Sequence, residues 1–213
     1  MTLTPRKTAL LLAAGMICGA LAGQARADKG AAPAAAAGTQ YAVLSATSSA
    51  RFEVLAHSVG APVHVHGTKG AISGVIRLAE GVTPTVSGEL DIEAGTLKSG
   101  NGGRDSKVYS VLHAVEHPRI VFTIDSVEPF SLQQLDAAGV TVTAHGSLDV
   151  AGVTVPLSFP VFARREAGRL LHLDGLAQTG FKDLKLEKPG VAVFLTVEDA
   201  IGAGATVDAQ AAP

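Results

Sequence analysis

From Val142 to Val161 the chain places an apolar residue at every second position. Val142, Ala144, Gly146, Leu148 and Val150 share one face, while Thr141, Thr143, His145, Ser147 and Asp149 share the other. Ala151-Gly152 interrupts the run with a tight turn, and Val153, Val155, Leu157, Phe159 and Val161 then resume it. A period of two is the signature of a strand with one dry face and one wet face. The same alternation recurs through Phe52 and Val54, through Ile72, Ile76 and Leu78, through Leu90 and Ile92, and through Ile120, Phe122 and Ile124. Turn residues separate these runs at intervals of about 8–12 residues, which predicts an all-β domain of sandwich or barrel type.

Residue size bears on that choice. The chain has no Trp, seven Phe and two Tyr, so its dry face is mostly Val, Ala, Ile, Leu and Gly. A barrel of about eight strands lined by small side chains leaves room for one ligand, whereas a sandwich closes its core with larger ones. The composition favours the barrel, and a merely filled core stays open beside a hollow one.

One stretch breaks the β pattern. Gly100, Gly102 and Gly103 let the backbone turn sharply. Asp105 is placed to cap a short helix, and Val108, Val111, Leu112 and Val115 recur at helical spacing. His117-Pro118 ends the helix, because proline disfavours α geometry in the residue before it. The expected result is a helical lid between strands. Arg104 and Asp105 form either an ion pair at a cavity mouth or a cap and a tie to the barrel.

The front of the chain reads differently. Arg6 and Lys7 precede an uncharged, mostly apolar run from Ala9 to Ala22, and Ala25-Arg26-Ala27 fits a cleavage site. That pattern predicts a signal peptide over residues 1–27 and an exported, periplasmic protein. Residues 28–39, rich in Ala with Gly and Pro33, read as a flexible linker, and residues 40–210 as one domain. Loss of the signal removes Cys18, so no disulfide is available. It also removes Arg6, Lys7 and Arg26 from 17 basic residues against 19 acidic ones, leaving a charge of about −5. Nucleic acid is a poor partner for such a surface. No second long apolar run follows, so no transmembrane segment is expected beyond the leader. Open strand edges or the lid could pair two copies in a homodimer.

Catalytic signatures are missing. No Gly-x-Ser-x-Gly elbow, Ser-x-x-Lys, phosphate loop or dinucleotide fingerprint occurs. Histidine is the remaining candidate for chemistry. His64 and His66 share one strand face, with His57 on a neighbouring strand. Three imidazoles would suit a metal-dependent enzyme, but no carboxylate stands at ligand spacing, and a solvated outer face accounts for them better. The expectation is therefore no enzyme, no metal and no cofactor. A structural envelope domain with a filled core is a further alternative.

Two longer runs carry a resemblance. Leu90 to Gly100, then Arg104-Asp105, Ser110 and Pro118 to Phe122, together with Gly146 to Leu157, resemble the signature of YceI-like proteins. Tyr41, Phe52 and the segment Val197 to Ile201 match that family's opening and closing strands. The resemblance implies an eight-stranded antiparallel, lipocalin-like barrel with a short helical cover. It further implies a periplasmic, non-catalytic carrier that holds a long isoprenoid lipid, either a quinone tail or a polyprenyl chain. The inward residues named above, from Phe52 to Phe159, would then line the lipid. Arg104, Asp105 and Tyr109 would form the rim that meets its head group. His117 departs from the family, which usually has an aromatic residue before the proline.

Overall fold

The computed structural model describes residues 38–58, 61–189 and 195–212. The expected signal peptide and most of the linker lie outside them. Ten strands are present: β1 (Thr39–Val43), β2 (Ser49–Ser58), β3 (Ala61–Gly70), β4 (Ile72–Ala79), β5 (Thr85–Glu93), β6 (Arg119–Val127), β7 (Val140–Val150), β8 (Val153–Glu166), β9 (Leu170–Gly180) and β10 (Leu195–Ala211). Two helices join them, α1 (Gly102–Val111) between β5 and β6, and α2 (Leu132–Asp136) between β6 and β7.

Every pairing between these strands is antiparallel. The order runs β1-β4-β5-β6-β7-β8-β9-β10, and β1 pairs back onto β10, which closes a ring of eight. The hairpin of β2 and β3 continues β1 and β4 along the same seam. β2 takes β10 from Thr206 to Leu195, and β1 takes it from Ala211 to Ala209. The fold is thus a closed eight-stranded antiparallel barrel in which two of the long strands are each broken once.

Proline marks where the wall is singly paired. A strand proline cannot donate to a second neighbour, so it belongs on an edge. Pro62 lies inside β3, whose main pairing is with β2 alone. Pro156 and Pro160 lie in β8, and β8 joins β9 only from Val161 onward. The upper part of β8 therefore pairs with β7 alone.

The ends of the barrel differ. At the lower end Arg165, 7% exposed, donates from Nε and Nη2 to Asp136 at 2.6 and 2.9 Å and also pairs with Glu80. Its Nη1 reaches the Tyr41 hydroxyl at 3.3 Å, and that hydroxyl is 3.4 Å from the Gly168 carbonyl. One guanidinium thus ties β8 to α2, β1 and the β4 end. At the upper end lie α1 and the segment 181–189 after β9.

Several local expectations are corrected. The closing strand extends well beyond the Val197 to Ile201 match: β10 runs from Leu195 to Ala211, with an irregularity between Val197 and Ile201. α2 was not foreseen, being only five residues long. Asp105 is not the helix cap: Asn101 holds that place, and its side chain accepts from the Arg104 amide at 3.0 Å. Val115 falls past the end of α1 and is 90% exposed, so it does not extend the greasy stripe.

Candidate functional site: a dry lumen under a helical lid

The alternating faces of the strands meet around a cavity of about 570 Å³. It runs from Leu135 of α2 and Phe130 at the lower end to α1 and the 181–189 segment at the upper end. The inward residues predicted from the alternation lie on its wall, except Gly146, Val153 and Val155 near or along the β7–β8 hairpin. Val155 stands near the β7–β8 turn, half-buried, and packs on neighbouring side chains rather than on the lumen. Phe122 and Phe159 meet across the cavity wall with ring centroids 5.3 Å apart and planes tilted by 53°, a favoured aromatic geometry. Ala144, Ala177, Ala203 and Gly175 also face the lumen. These small residues keep it open where larger ones would fill it.

The lid presents a graded face. Gly103, Arg104, Lys107, Val108, Val111 and Leu112 all line the cavity, a stripe that begins cationic and ends aliphatic. The spacing is that of one side of a helix. Arg104 is anchored by its own donors: Nε to the Ser99 hydroxyl at 2.9 Å and Nη2 to the Ser99 carbonyl at 3.4 Å.

The other two rim candidates fall elsewhere. Neither Asp105 nor Tyr109 is on the cavity wall. The Asp105 carboxylate turns back to Ser99, accepting from its amide at 2.7 Å and its hydroxyl at 2.6 Å. Those hydrogen bonds, the hydroxyl's first, hold its pKa below the ordinary carboxylate value. Tyr109 donates to the Leu97 carbonyl at 3.0 Å and bonds to Lys98, whose pKa is raised mainly by that contact. Both residues therefore hold the helix on its preceding loop, and the two neighbours Arg104 and Asp105 do not pair with each other. A helix turns about 100° per residue, so adjacent side chains on α1 face different surroundings.

The segment 181–189, which follows β9, is rich in lysine. Its lysines do face out, but Phe181, Leu184, Leu186 and Pro189 turn inward onto the cavity, Phe181 and Leu184 being buried. The Phe181 amide donates to the Asp199 carbonyl at 2.9 Å, and Lys188 lies 3.5 Å from Asp199, which fasten the segment to β10.

The histidines are outside. His64 and His66 are exposed on the outer face of β3, and His57 Nε2 lies 2.7 Å from a Glu198 oxygen. Among the described residues no group of three His, Cys, Asp or Glu side chains is arranged to hold a metal. No described helix is long and apolar enough to cross a membrane.

The sequence profile of the YceI-like domain matches residues 41–209, most of the chain. The chain belongs to the YceI-like family. Its fold is that of solved YceI-type structures. A polyisoprenoid binding domain from Saccharophagus degradans, implicated in plant cell wall breakdown, superimposes with a TM-score of 0.64 at 15% identity, covering 81% of this chain and 98% of that one. BcnA of Burkholderia cenocepacia gives 0.59 at 16% identity, covering 78% and 98%. The YCEI protein of Campylobacter jejuni gives 0.51 at 18%, covering 67% and 82%. No curated protein matches the chain significantly. The departure noted above, His117, falls at the lid end of the lumen, where a Cβ on Gly152 would meet its ring.

Proposed function

We propose that this YceI-like protein is a non-catalytic carrier for a long isoprenoid lipid, exported to the periplasm by its N-terminal leader. One observation carries the reading: the lumen is walled mostly by aliphatic and aromatic side chains, plugged at one end and covered by a lid at the other. Its volume of about 570 Å³ lies within the range of small-molecule sites, about 300–1,000 Å³. Each methylene moved from water into such a wall gains about 0.8 kcal/mol, so a prenyl chain needs no catalytic group to be held. Ordering the chain offsets part of that gain. The Saccharophagus relative, a polyisoprenoid binding domain, supports the same class of ligand.

The polar end of the ligand sits under the start of α1. Arg104 and Lys107 are the charged side chains on the lid's inward stripe, and the remainder of that stripe is aliphatic. On the lid, these two side chains are the hydrogen-bond donors open to a quinone ring, a prenyl alcohol or a phosphate.

The test is to express the full chain in bacteria, purify it without detergent and record native mass spectra. A bound mass that is released on denaturation and fragments as a prenyl lipid is expected. A ligand-free protein that takes up neither farnesol nor a short-chain quinone overturns the proposal.

A further inference from the structure

The two covers of the lumen carry nearly all the lysines of the domain. Between residues 38 and 212 every lysine except Lys69 lies on the lid segment, at Lys98 and Lys107, or on the 181–189 segment, at Lys182, Lys185 and Lys188. With Arg104 they make six cations against four acidic residues, Asp105, Glu116, Asp183 and Glu187. The described domain as a whole has the opposite balance, 13 basic residues against 18 acidic. Positive charge is thus gathered at one end of an acidic protein, and it is the end through which the lumen would be entered.

The pairing of these cations differs too. Four arginines of the wall and the lower end are matched with carboxylates, Arg51 with Asp174, Arg119 with Asp91, Arg164 with Glu166, and Arg165 with Asp136 and Glu80, while Arg77 and Arg169 are exposed and in no ion pair among the described residues. Among the described residues Lys107, Lys182 and Lys185 are exposed and in no ion pair, while Lys188 is held by Asp199. The lid segment also carries an exposed apolar side chain. Val115, just past α1, is 90% exposed.

We propose that the α1 end of the barrel is a docking face for an anionic lipid bilayer, with Lys182 and Lys185 on the headgroups and Val115 entering the surface. The inference rests on the carrier reading, because a lumen that exchanges a lipid must bring its mouth to a membrane. The acidic remainder of the domain is repelled by the same surface, so the charge asymmetry orients the barrel with its mouth down. Each lysine near an anionic membrane contributes attraction that fades within a Debye length.

Vesicle flotation of the full mature chain tests this. The protein is expected to float with phosphatidylcholine vesicles containing phosphatidylglycerol, but not with phosphatidylcholine alone. Binding at about 0.1 M salt should be lost near 1 M, where the screening length falls to about 3 Å. The double variant Lys182→Glu/Lys185→Glu, and separately Val115→Asp, should lower partition by at least about tenfold. Val82→Asp, at an equally exposed valine in the β4–β5 connection of the opposite end, should not. Equal binding to both vesicle types, no binding to either, or unchanged partition of the mouth variants overturns the proposal. Farnesol uptake from detergent-free solution separates the two readings. Uptake without vesicle binding overturns docking alone, whereas charge-dependent docking without uptake supports the face and overturns the cargo.

Discussion

Asp105 takes both polar hydrogens of Ser99, the amide at 2.7 Å and the hydroxyl at 2.6 Å, through a single carboxylate oxygen. The same serine accepts from Arg104 Nε at 2.9 Å. The lid is therefore fastened to its entry loop through one residue gripped by two adjacent helix positions.

Asp105→Ala should loosen the lid and leave the barrel standing. Amide exchange across residues 99–112 is expected to quicken, while exchange in β6 to β9 stays slow, because those strands are held by their own ladders. The effect has a pH signature. The folded-state pKa of Asp105 lies below its ordinary value. Its contribution is therefore complete above the ordinary carboxylate range and disappears as pH falls through the lowered value. Wild-type exchange in the lid should approach that of the variant only in strong acid. Identical lid exchange in the two proteins at neutral pH contradicts the anchor.

Arg165 poses the opposite case, a buried cation whose partners are wet. Its side chain is 8% exposed, whereas those of Asp136 and Glu80 are each 45% exposed. Breaking a fully buried pair costs about 3–5 kcal/mol, because a charge is stranded. In Arg165→Met the stranded carboxylates can hydrate, so a loss of about 2 kcal/mol is expected in urea denaturation. Asp136→Asn should cost less, since Glu80 and the Tyr41 hydroxyl remain on the guanidinium. The Asp136 pKa is lowered chiefly by its bond to Arg165. That part of the stability is present above the ordinary carboxylate value and is lost as pH falls through the lowered one. A larger loss in Asp136→Asn than in Arg165→Met would contradict this ordering.

Much of the barrel was legible because a period of two fixes which side chains face in. Ile72, Ile76 and Leu78, or Ile120, Phe122 and Ile124, could be placed on the inward face from spacing alone, though spacing does not say whether that face meets a hollow. Legibility stopped where the backbone leaves that period. Asp105 and Arg104 are adjacent on a helix, and which one faces the cavity depends on how α1 sits on the barrel; Asn101 and Ser99 decide that. Phe181 and Leu184 lie in a turn, where no period exists to show that they point inward. The long final strand was hidden by its irregularity between Val197 and Ile201 and by a run of Gly and Ala with no side chains to alternate. The ring closes there all the same, through β1 and β2 on β10.

Gly146 faces a different constraint. It pairs with Ile124 just before the register shift that follows in β6, and a Cβ there would fall on the Thr123 carbonyl and within 3.1 Å of the Phe122 ring. The demand is for space, as its φ is not in the left-handed region. Gly146→Ala should cost about 2–3 kcal/mol, since rigid strand backbone must move. Gly168→Ala, with nothing near its Cβ, is the instructive contrast: its cost comes from a φ of +67° and should be about 1 kcal/mol. Thermal denaturation of the pair, with equal losses, would show that the β6–β7 contact is looser than described.

Ala177→Phe separates a hollow barrel from a solid one. Ala177 lies on the cavity wall in β9, in line with Gly175 and Leu173. In a filled core the added ring would overpack and cost about 1–3 kcal/mol. In a hollow lumen it has room, and burying it gains up to about 1.5–3 kcal/mol. The variant should therefore melt at or above the wild-type temperature, and it should take up less farnesol because the ring occupies the channel. Leu148→Phe, further along the same lumen, should behave alike. Measuring both quantities on one sample matters, because a misfolded barrel also fails to bind. A lower melting temperature with wild-type uptake would mean that the ligand lies elsewhere, and that these side chains meet one another rather than a prenyl chain.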